Sequence, residues 1–348
     1  MKPFSCIYIK ENLGREELLY EVPKNFEIID FHFKSISIWN NLSSLKDFFK
    51  DISRIYTNSN ITHFISLTAE SCDNFSNRDH GVISIVNLCD TNLTGLKKYY
   101  SNNNQYISFK EAVKNPHLLY STNWMPTLNY LKNSEQINLI IDIGSTTTDF
   151  VYKNMCVNEN INDFMRLSNR TLLYQGVVRT PIPMFVNNIN FGEKEIPVIK
   201  EVYATSGDIF CILKDIEFKN KSYTGADKLP YSEQNSLNRI SRLIGKDYNK
   251  NDRELFISLA KDLKVKFIIN IVKNINHIEK LNGEKLIVTS IGEGKGLIQE
   301  ICYNEKIEFL AIDKIDDLKI NCNNKHIDVY SHFTSVLIVL NYFGNKDE

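Results

Sequence analysis

The chain has 348 residues, 43% of them hydrophobic, which suffices for the core of one large two-lobed domain or of two domains. Lys and Arg number 41 and Asp and Glu number 42, so the net charge of −1 argues against nucleic acid or an anionic membrane as a partner. The 7 cysteines contain no CxxC pair, Met1 is followed by no signal-peptide pattern, and the longest apolar run is too short to span a bilayer. We therefore expect a cytoplasmic protein with reduced thiols.

The first third of the chain predicts alternating strands and helices. Residues 1–40 alternate loosely between apolar and polar and predict two or three strands. Residues 42–56 carry apolar side chains at helical spacing, and 61–67 are typical of a buried strand. Residues 81–88 fit a helix or a strand equally well. The polar stretch 133–138 predicts a boundary between two lobes.

A loop with charged residues follows the strand predicted at 61–67. It contains Glu70, Asp73 and Arg78, and ligands collect at the carboxyl ends of strands in open α/β sheets. These side chains are suited to orient an amine, hold a metal-bound water or clamp a phosphate. The alternative is a surface ion pair at the start of the next helix.

The centre of the chain predicts a strand, a tight turn and a second strand over residues 137–152. Gly144 allows an anion to approach the backbone, and the following residues supply N–H and hydroxyl donors. These residues are Ser145, Thr146, Thr147 and Thr148. Asp142 and Asp149 bracket the turn, and carboxylates fit beside a phosphate when Mg2+ or a polarised water lies between. The alternative is a β-hairpin with a threonine-rich turn and no ligand.

Further elements follow the predicted hairpin. Residues 172–178 and 201–205 are predicted strands, and Arg179 lies between them on an irregular segment because Pro181 disfavours helix at the preceding residue. Asp208 follows the second of these strands. A long amphipathic helix is predicted from residue 252 to 277.

A glycine-rich loop follows the strand predicted at 285–291. Gly292 and Gly294 belong to a G-x-G-x-G pattern, and the residues from 297 to 303 look helical. Leu297 occupies the place of the third glycine of a dinucleotide-binding motif, which makes that function a weak hypothesis. A loop that packs against a bound ligand is the preferred interpretation.

Four stretches resemble one known family. They are DIGSTTTD at 142–149, TAESCDNFSNR at 68–78, LLYQGVVRTP at 172–181, and YATSGDIF at 203–210 followed by TGADK at 224–228. Taken in their order along the chain, these stretches resemble the hydantoinase/oxoprolinase-like proteins of the actin-like ATPase fold. Within that family the chain is most similar to the branch linked to tetrahydromethanopterin-dependent one-carbon transfer.

The resemblance implies an α/β protein of the actin-like, RNase H-like fold, with two lobes and an interlobe cleft that holds the ligand. The expected lobes are residues 1–136 and 137–348. The branch includes a methanofuran-biosynthesis transferase that joins an aminomethylfuran diphosphate to γ-glutamyl-tyramine and releases diphosphate. The implied partner is thus a phosphorylated small molecule, with a homo- or hetero-oligomer of family members as a further expectation.

The same resemblance assigns expected roles to the candidate residues. The turn residues 144–148, Arg179, Gly292 and Gly294 are expected to bind the phosphorylated ligand. Mg2+ is expected at Asp142 or Asp149. The expected catalytic carboxylates are Asp149, Glu70, Asp73 and Asp208.

The chain departs from the family pattern at its N-terminus, where the first Asp-Ile-Gly phosphate loop is missing. Gly14 is the only glycine before residue 81. An actin-like ATPase or kinase is an alternative, although it needs two such loops and only one is visible. A non-catalytic subunit that works with a homologue is another alternative. Hydantoin or oxoproline hydrolysis is a weaker option, since the histidines show no metal-ligand spacing.

Overall fold

The computed structural model describes most of the chain. The described residues are 4–9, 15–21, 27–34, 42–57, 61–67, 69–72, 74–155, 162–218, 223–315, 321–322, 330, 333–334 and 336–338. The strands up to residue 34 and the strand at 321–322 are described by their backbone only. The position of the missing first phosphate loop, residues 10–14, and the candidate Asp73 lie outside the described residues.

The described elements alternate between strands and helices. The strands are β1 Phe4–Ile9, β2 Arg15–Glu21, β3 Glu27–Lys34, β4 Thr62–Leu67, β5 Leu96–Tyr100, β6 Tyr106–Ile107, β7 Leu139–Ile143, β8 Thr148–Tyr152, β9 Leu172–Leu173, β10 Asn188–Phe191, β11 Lys194–Pro197, β12 Ile287–Ile291, β13 Glu308–Phe309 and β14 Asn321–Cys322. The helices are α1 Ser43–Ile55, α2 Arg78–Asn92, α3 Phe109–Lys114, α4 Met125–Asn133, α5 Asp163–Ser168, α6 Ser206–Leu213, α7 Glu233–Arg242, α8 Arg253–Asn282 and α9 Lys295–Glu305.

The chain divides into two compact units. The first contains residues 1–136, 153–165 and 312–348, and the second contains 137–152 and 166–311. The division therefore differs from the two continuous lobes expected from the sequence. One reason is that β14, near the C-terminus, pairs in parallel with β3 and so belongs to the sheet of the first unit. The interlobe cleft stays a prediction.

The first unit is built on a mixed seven-stranded sheet in the order β14-β3-β2-β1-β4-β5-β6. β1, β2 and β3 form an antiparallel meander, and β4 and β5 continue the sheet in parallel from β1. The apolar faces of α1 and α2 cover this sheet, and Phe49 of α1 and Ile85 of α2 share a buried core with Ile65 of β4. α2 begins at a side-chain cap, because the Asn77 Oδ1 accepts from the N–H of His80 at 2.9 Å.

The second unit has a five-stranded mixed sheet in the order β13-β12-β7-β8-β9 and a separate β10–β11 hairpin. α6, α7 and α8 share a core that includes Ile209, Leu237 and Phe256. α8 ends where Gly283 takes a φ of 72°, the left-handed conformation that glycine adopts without steric cost. Both larger sheets mix parallel and antiparallel strands and alternate with helices along the chain, so the described chain is a mixed α/β protein.

Several local predictions are confirmed and two strands are corrected. The helix predicted at 42–56, the strand–turn–strand at 137–152 and the long helix near 252–277 are all present. Residues 81–88 belong to the helix α2. The strand predicted at 172–178 ends after Leu173, and 201–205 holds only an isolated bridge to Pro181. The chain leaves the sheet after Leu173 because the Thr180 hydroxyl accepts a hydrogen bond from the N–H of Gly176 and donates one to its carbonyl.

Among the residues that the structure describes, no helix combines the length and the apolar character that a membrane crossing requires.

Candidate functional site

The β7–β8 hairpin places the residues of the DIGSTTTD motif. β7 pairs with β8 in antiparallel register, with Ile143 opposite Thr148. The turn is closed by a hydrogen bond of 2.9 Å from the N–H of Gly144 to the carbonyl of Thr147. Ser145 is buried at 3% exposure, while the side chains of Thr146 and Thr147 are half-buried.

The turn offers three consecutive backbone donors. Among the hydrogen bonds of the described residues, none is donated by the N–H of Ser145, Thr146 or Thr147. Successive N–H groups in a turn form a concave site for an anion. The Thr148 hydroxyl, in contrast, donates to the carbonyl of Gln175 at 2.6 Å and is fully buried, so it supports the turn rather than facing a ligand.

The segment after β9 supports the turn from behind. The N–H groups of Val177 and Arg179 donate to the carbonyls of Gly144 and Ser145, both at 2.9 Å. A Cβ on Gly176 would lie 2.4 Å from the Ser145 carbonyl carbon and 2.4 Å from the Thr146 nitrogen. Only glycine therefore permits this approach, which brings the backbone of Arg179 against the turn.

The glycine-rich loop 292–294 joins the same site. Gly292 has a φ of 87°, and a Cβ there would lie 2.5 Å from the Oδ1 of Asp142. The N–H of Gly294 donates to the carbonyl of Ile143 at 3.0 Å. The loop thus rests on the end of β7, immediately before the turn. Three segments far apart in sequence meet here: the hairpin, residues 176–179 and this loop.

The two aspartates of the motif have different surroundings. Asp142 and Asp149 are directly opposite each other in the hairpin, where like charges repel. The guanidinium of Arg166 donates to Asp149 at 2.6 Å, and Arg166 also donates to the carbonyl of Thr171 at 3.0 Å. Asp149 is therefore held in a buried ion pair, whereas Asp142 is half-buried beside Gly292.

Asp208 is fully buried and its carboxylate caps a helix. One oxygen accepts from the N–H of Thr205 at 2.9 Å, which completes the capping box at the start of α6. The other oxygen accepts from Arg239 at 2.8 Å. Burial raises the pKa of Asp208 to about 6, and Arg239 opposes that rise. Both oxygens of Asp208 are therefore engaged within the fold.

A second cluster of polar residues lies in the first unit, at the carboxyl end of β4. Glu70 is 1% exposed, and its Oε1 accepts from the N–H and the hydroxyl of Ser121 at 3.1 and 3.3 Å. Arg78, on the first turn of α2, lies 3.4 Å from Glu70 and 3.1 Å from Asp163. A Cβ on Gly81 would lie 2.2 Å from the carbonyl oxygen of Glu70, so this glycine lets α2 start directly against the loop.

The protonation of Glu70 is governed by its burial. Desolvation raises its pKa to about 7, Asp163 contributes to the rise, and Arg78 opposes it. The Oε2 of Glu70 is buried and has no hydrogen-bond partner among the described residues. A carboxyl group that titrates near neutral pH and keeps one oxygen unused is a candidate for ligand binding or proton transfer.

The sequence missed the partners that hold these groups in place. Arg166, Gln175, Ser121 and Asp163 were not among the candidates, because isolated polar residues in ordinary surroundings carry no motif. Gly176 was noted only as part of the LLYQGVVRTP stretch. No group of three or more histidines, cysteines or carboxylates in the described residues is arranged to hold a metal ion.

Comparisons with known proteins give the family. No protein-family model matches the chain. It is 26% identical over 273 residues to the (4-{4-[2-(gamma-L-glutamylamino)ethyl]phenoxymethyl}furan-2-yl)methanamine synthase of Methanocaldococcus jannaschii, covering 77% of this chain and 80% of that protein. It is 30% identical over 185 residues to the synthase of the same name from Methanococcus vannielii, covering 52% of this chain and 83% of that protein.

Similarity to solved structures is weak. The activator of the 2-hydroxyisocaproyl-CoA dehydratase from Clostridium difficile aligns with 99% of the chain, at 11% identity and a TM-score of 0.35. Since the chain covers most of the Methanococcus vannielii protein at 30% identity, it belongs to the family of the (4-{4-[2-(gamma-L-glutamylamino)ethyl]phenoxymethyl}furan-2-yl)methanamine synthases.

Proposed function

We propose that this chain is a transferase of methanofuran-type cofactor biosynthesis that joins an aminomethylfuran diphosphate to the phenol of γ-glutamyl-tyramine and releases diphosphate. The name of its relatives describes the product, in which a phenoxymethyl group links the phenyl ring to the furan. The bond to be formed is therefore the one between the phenol oxygen and the methylene carbon of the furan. The hydantoinase/oxoprolinase relationship and the actin-like fold remain part of this proposal, supported by the β1–β5 strand order.

The reaction needs a strong site for the leaving group. The carbon–oxygen bond to diphosphate breaks with its electron pair on the diphosphate, the phenol oxygen bonds to the carbon, and the phenolic proton is released. The furan ring stabilises positive charge at the methylene, so the main task of the protein is to neutralise the departing anion. Preorganised donors do this, and the loss of one donor typically costs about 10²–10³ in rate.

The single observation that carries the proposal is the turn at 145–147, whose three N–H groups donate to no other described residue. Arg179 is bound to this turn through its backbone and is half-buried there. An arginine beside a set of amides is suited to a diphosphate, since charge-assisted hydrogen bonds are the stronger ones. We propose that the turn and Arg179 bind the diphosphate, before and after the bond breaks.

We assign the expected Mg2+ to one of the two aspartates of this site. Asp149 is engaged by Arg166, whereas the half-buried Asp142 stands at the end of β7 beside the turn. Mg2+ is commonly bound by one or two carboxylates together with phosphate oxygens. We propose that Asp142 holds the ion with the diphosphate, where it would supply further neutralisation of the anion. Asp149 then acts by holding the hairpin in shape.

The proposal is tested by binding and turnover with the full chain. Titration with inorganic diphosphate and Mg2+ should raise the melting temperature of the protein, and Asp142→Asn should weaken this effect. Incubation with the furan diphosphate and γ-glutamyl-tyramine should give the ether and free diphosphate in equal amounts. A melting temperature that responds to ATP and Mg2+ but not to diphosphate, together with no ether formation, would contradict the transferase and favour the ATPase.

A further inference from the structure

The charge balance around Glu70 is incomplete. Two carboxylates, Glu70 and Asp163, share the hydroxyl of Ser121, which lies 3.3 Å from one and 3.0 Å from the other. Arg78 is the one cation in contact with either of them among the described residues. With both carboxylates ionised the cluster has a net charge of −1 and lacks a second cation.

Arg78 is held in a fixed position by several contacts. Its Nε donates to the hydroxyl of Ser71 at 3.1 Å, and its guanidinium lies 4.9 Å above the ring centre of Tyr120. Its Nη2 donates to Ser121 at 2.9 Å and to Asp163 at 3.1 Å. The arginine therefore frames the cluster, and its contact with Glu70 is to Oε1, so Oε2 is left without a partner among the described residues.

The Oε2 of Glu70 is the second observation that points to a ligand. It is buried without a hydrogen-bond partner in a side chain that is 1% exposed, which is costly for a carboxylate. Ser121 reaches the cluster from a left-handed backbone conformation with φ of 49°, which is uncommon for a residue other than glycine. Strained backbone of this kind concentrates at ligand sites.

We propose that Glu70 and Asp163 form a binding site for a primary ammonium group, placed across Ser121 and framed by Arg78. An ammonium group brings the missing positive charge and three N–H donors. The ligand approaches from the side of Asp163 and Arg78, whose side chains are 23% and 30% exposed, and donates to the buried Oε2 of Glu70. Binding draws Glu70 into its ionised form and releases a proton.

The proposal rests on the proposed function in one respect, since the product named for the relatives ends in a primary methanamine. The ammonium group that we assign to this site is that aminomethyl group. The binding itself can be measured without turnover, so failure of the transferase and failure of the ammonium site give different results.

The test uses furan-2-ylmethanamine as the probe and furan-2-ylmethanol as its neutral match, with calorimetric titration of the full chain. The amine should bind at least about tenfold more tightly than the alcohol, as one charge-assisted hydrogen bond provides. Glu70→Gln and Asp163→Asn should each remove most of this preference. Glu111→Gln, an exposed acidic residue of the same unit, is the matched control and should bind as the unaltered chain does.

Proton linkage separates this site from a merely structural cluster. Among the residues that the structure describes, the charged or titratable groups near Glu70 are Arg78, Asp163 and Tyr120, and Tyr120 in turn donates to Asp79. Since the pKa of Glu70 lies near 7, amine binding should weaken about tenfold from pH 8 to pH 6, and Glu70→Gln should abolish that dependence. Equal binding of amine and alcohol, or unchanged amine binding by both acidic-site variants, would overturn the proposal.

Discussion

The guanidinium of Arg166 lies 2.6 Å from the carboxylate of Asp149, and both side chains are buried within the second unit. The pair connects α5, which contains Arg166, to β8, which contains Asp149. Arg166 also donates to the carbonyl of Thr171. It neutralises the aspartate that directly faces Asp142 across the two strands. Through its ion pair with Arg166, Asp149 therefore stabilises the conformation of the hairpin.

Breaking this pair should destabilise the protein. Asp149→Leu leaves a buried guanidinium without its counterion, which typically costs about 3–5 kcal/mol in the free energy of unfolding. The double variant Asp149→Leu/Arg166→Met should recover most of that loss, because no unpaired charge remains. Denaturant unfolding measures both effects.

The control for that prediction is the exposed pair of Arg54 and Asp51, which are 76% and 49% exposed. Arg54→Met should leave the unfolding midpoint unchanged, since exposed pairs contribute little. Diphosphate binding by the double variant then tests the assignment of Asp149. Retained binding supports a shaping role, whereas complete loss in a stably folded double variant would indicate that Asp149 itself contacts the ligand.

The contact of Gly176 with the turn should be essential for anion binding. In Gly176→Ala the new methyl group meets backbone atoms at 2.4 Å, so the turn or the 176–179 segment must move. We expect diphosphate affinity to fall at least about tenfold, because the amides at 145–147 lose their arrangement. Calorimetric titration with diphosphate and Mg2+ measures the change.

Gly296→Ala is the matched control for that substitution. Gly296 lies in α9 and a Cβ there meets no atom within 4 Å. Alanine is the better helix former, so this variant should bind diphosphate normally and be slightly more stable. Equal affinity of the two variants would show that the turn does not bind the anion.

Arg179 should contribute charge to the diphosphate site. Arg179→Met should weaken diphosphate binding by about 10- to 100-fold, the range expected when one hydrogen bond to a charged group is lost. Arg179→Lys should restore part of the affinity, since lysine keeps the charge without the two-pronged geometry. Arg242→Met removes an exposed arginine of α7 and should have no effect on binding. An effect of similar size in Arg242→Met would mean that general surface charge explains the loss.

The burial of Glu70 predicts a pH dependence of stability with a definite sign. The folded state holds the pKa of Glu70 at about 7, above its ordinary value of 4.5. Between these values the unfolded chain loses the proton while the folded chain keeps it, so the contribution of Glu70 to stability falls as pH rises. Once the pH exceeds 7, the free energy of unfolding has fallen by about 3 kcal/mol in total through this group.

Glu70→Gln lacks this titration, so the unaltered chain should lose stability relative to the variant as pH rises from 4.5 to 7. Unfolding midpoints at pH 5 and pH 8 measure the difference. Asp208 titrates in both proteins and therefore cancels in the comparison. A stability difference that does not vary with pH would show that Glu70 is ionised throughout this range.

Local sequence patterns predicted most of the elements that build the candidate site. The run of Ile and Leu before Asp142, the glycine and the threonines gave the hairpin, because strand and turn preferences act over a few neighbouring residues. The charged loop after β4 was predicted in the same way, and Glu70 and Arg78 do lie together. The strands predicted at 172–178 and 201–205 failed because apolar composition does not reveal the Thr180–Gly176 hydrogen bonds that turn the chain.

The sequence by itself determined the hairpin, the charged loop after β4 and, through its resemblance to known motifs, the relationship to the methanofuran-pathway synthases. Only the tertiary structure decided which groups are available for chemistry. It engages Asp149 with Arg166 and Asp208 with Arg239, and it leaves the turn amides and one oxygen of Glu70 uncommitted among the described residues. The physical reason is that burial and pairing depend on contacts between distant segments, and the free energy of a charge depends on those contacts more than on residue type.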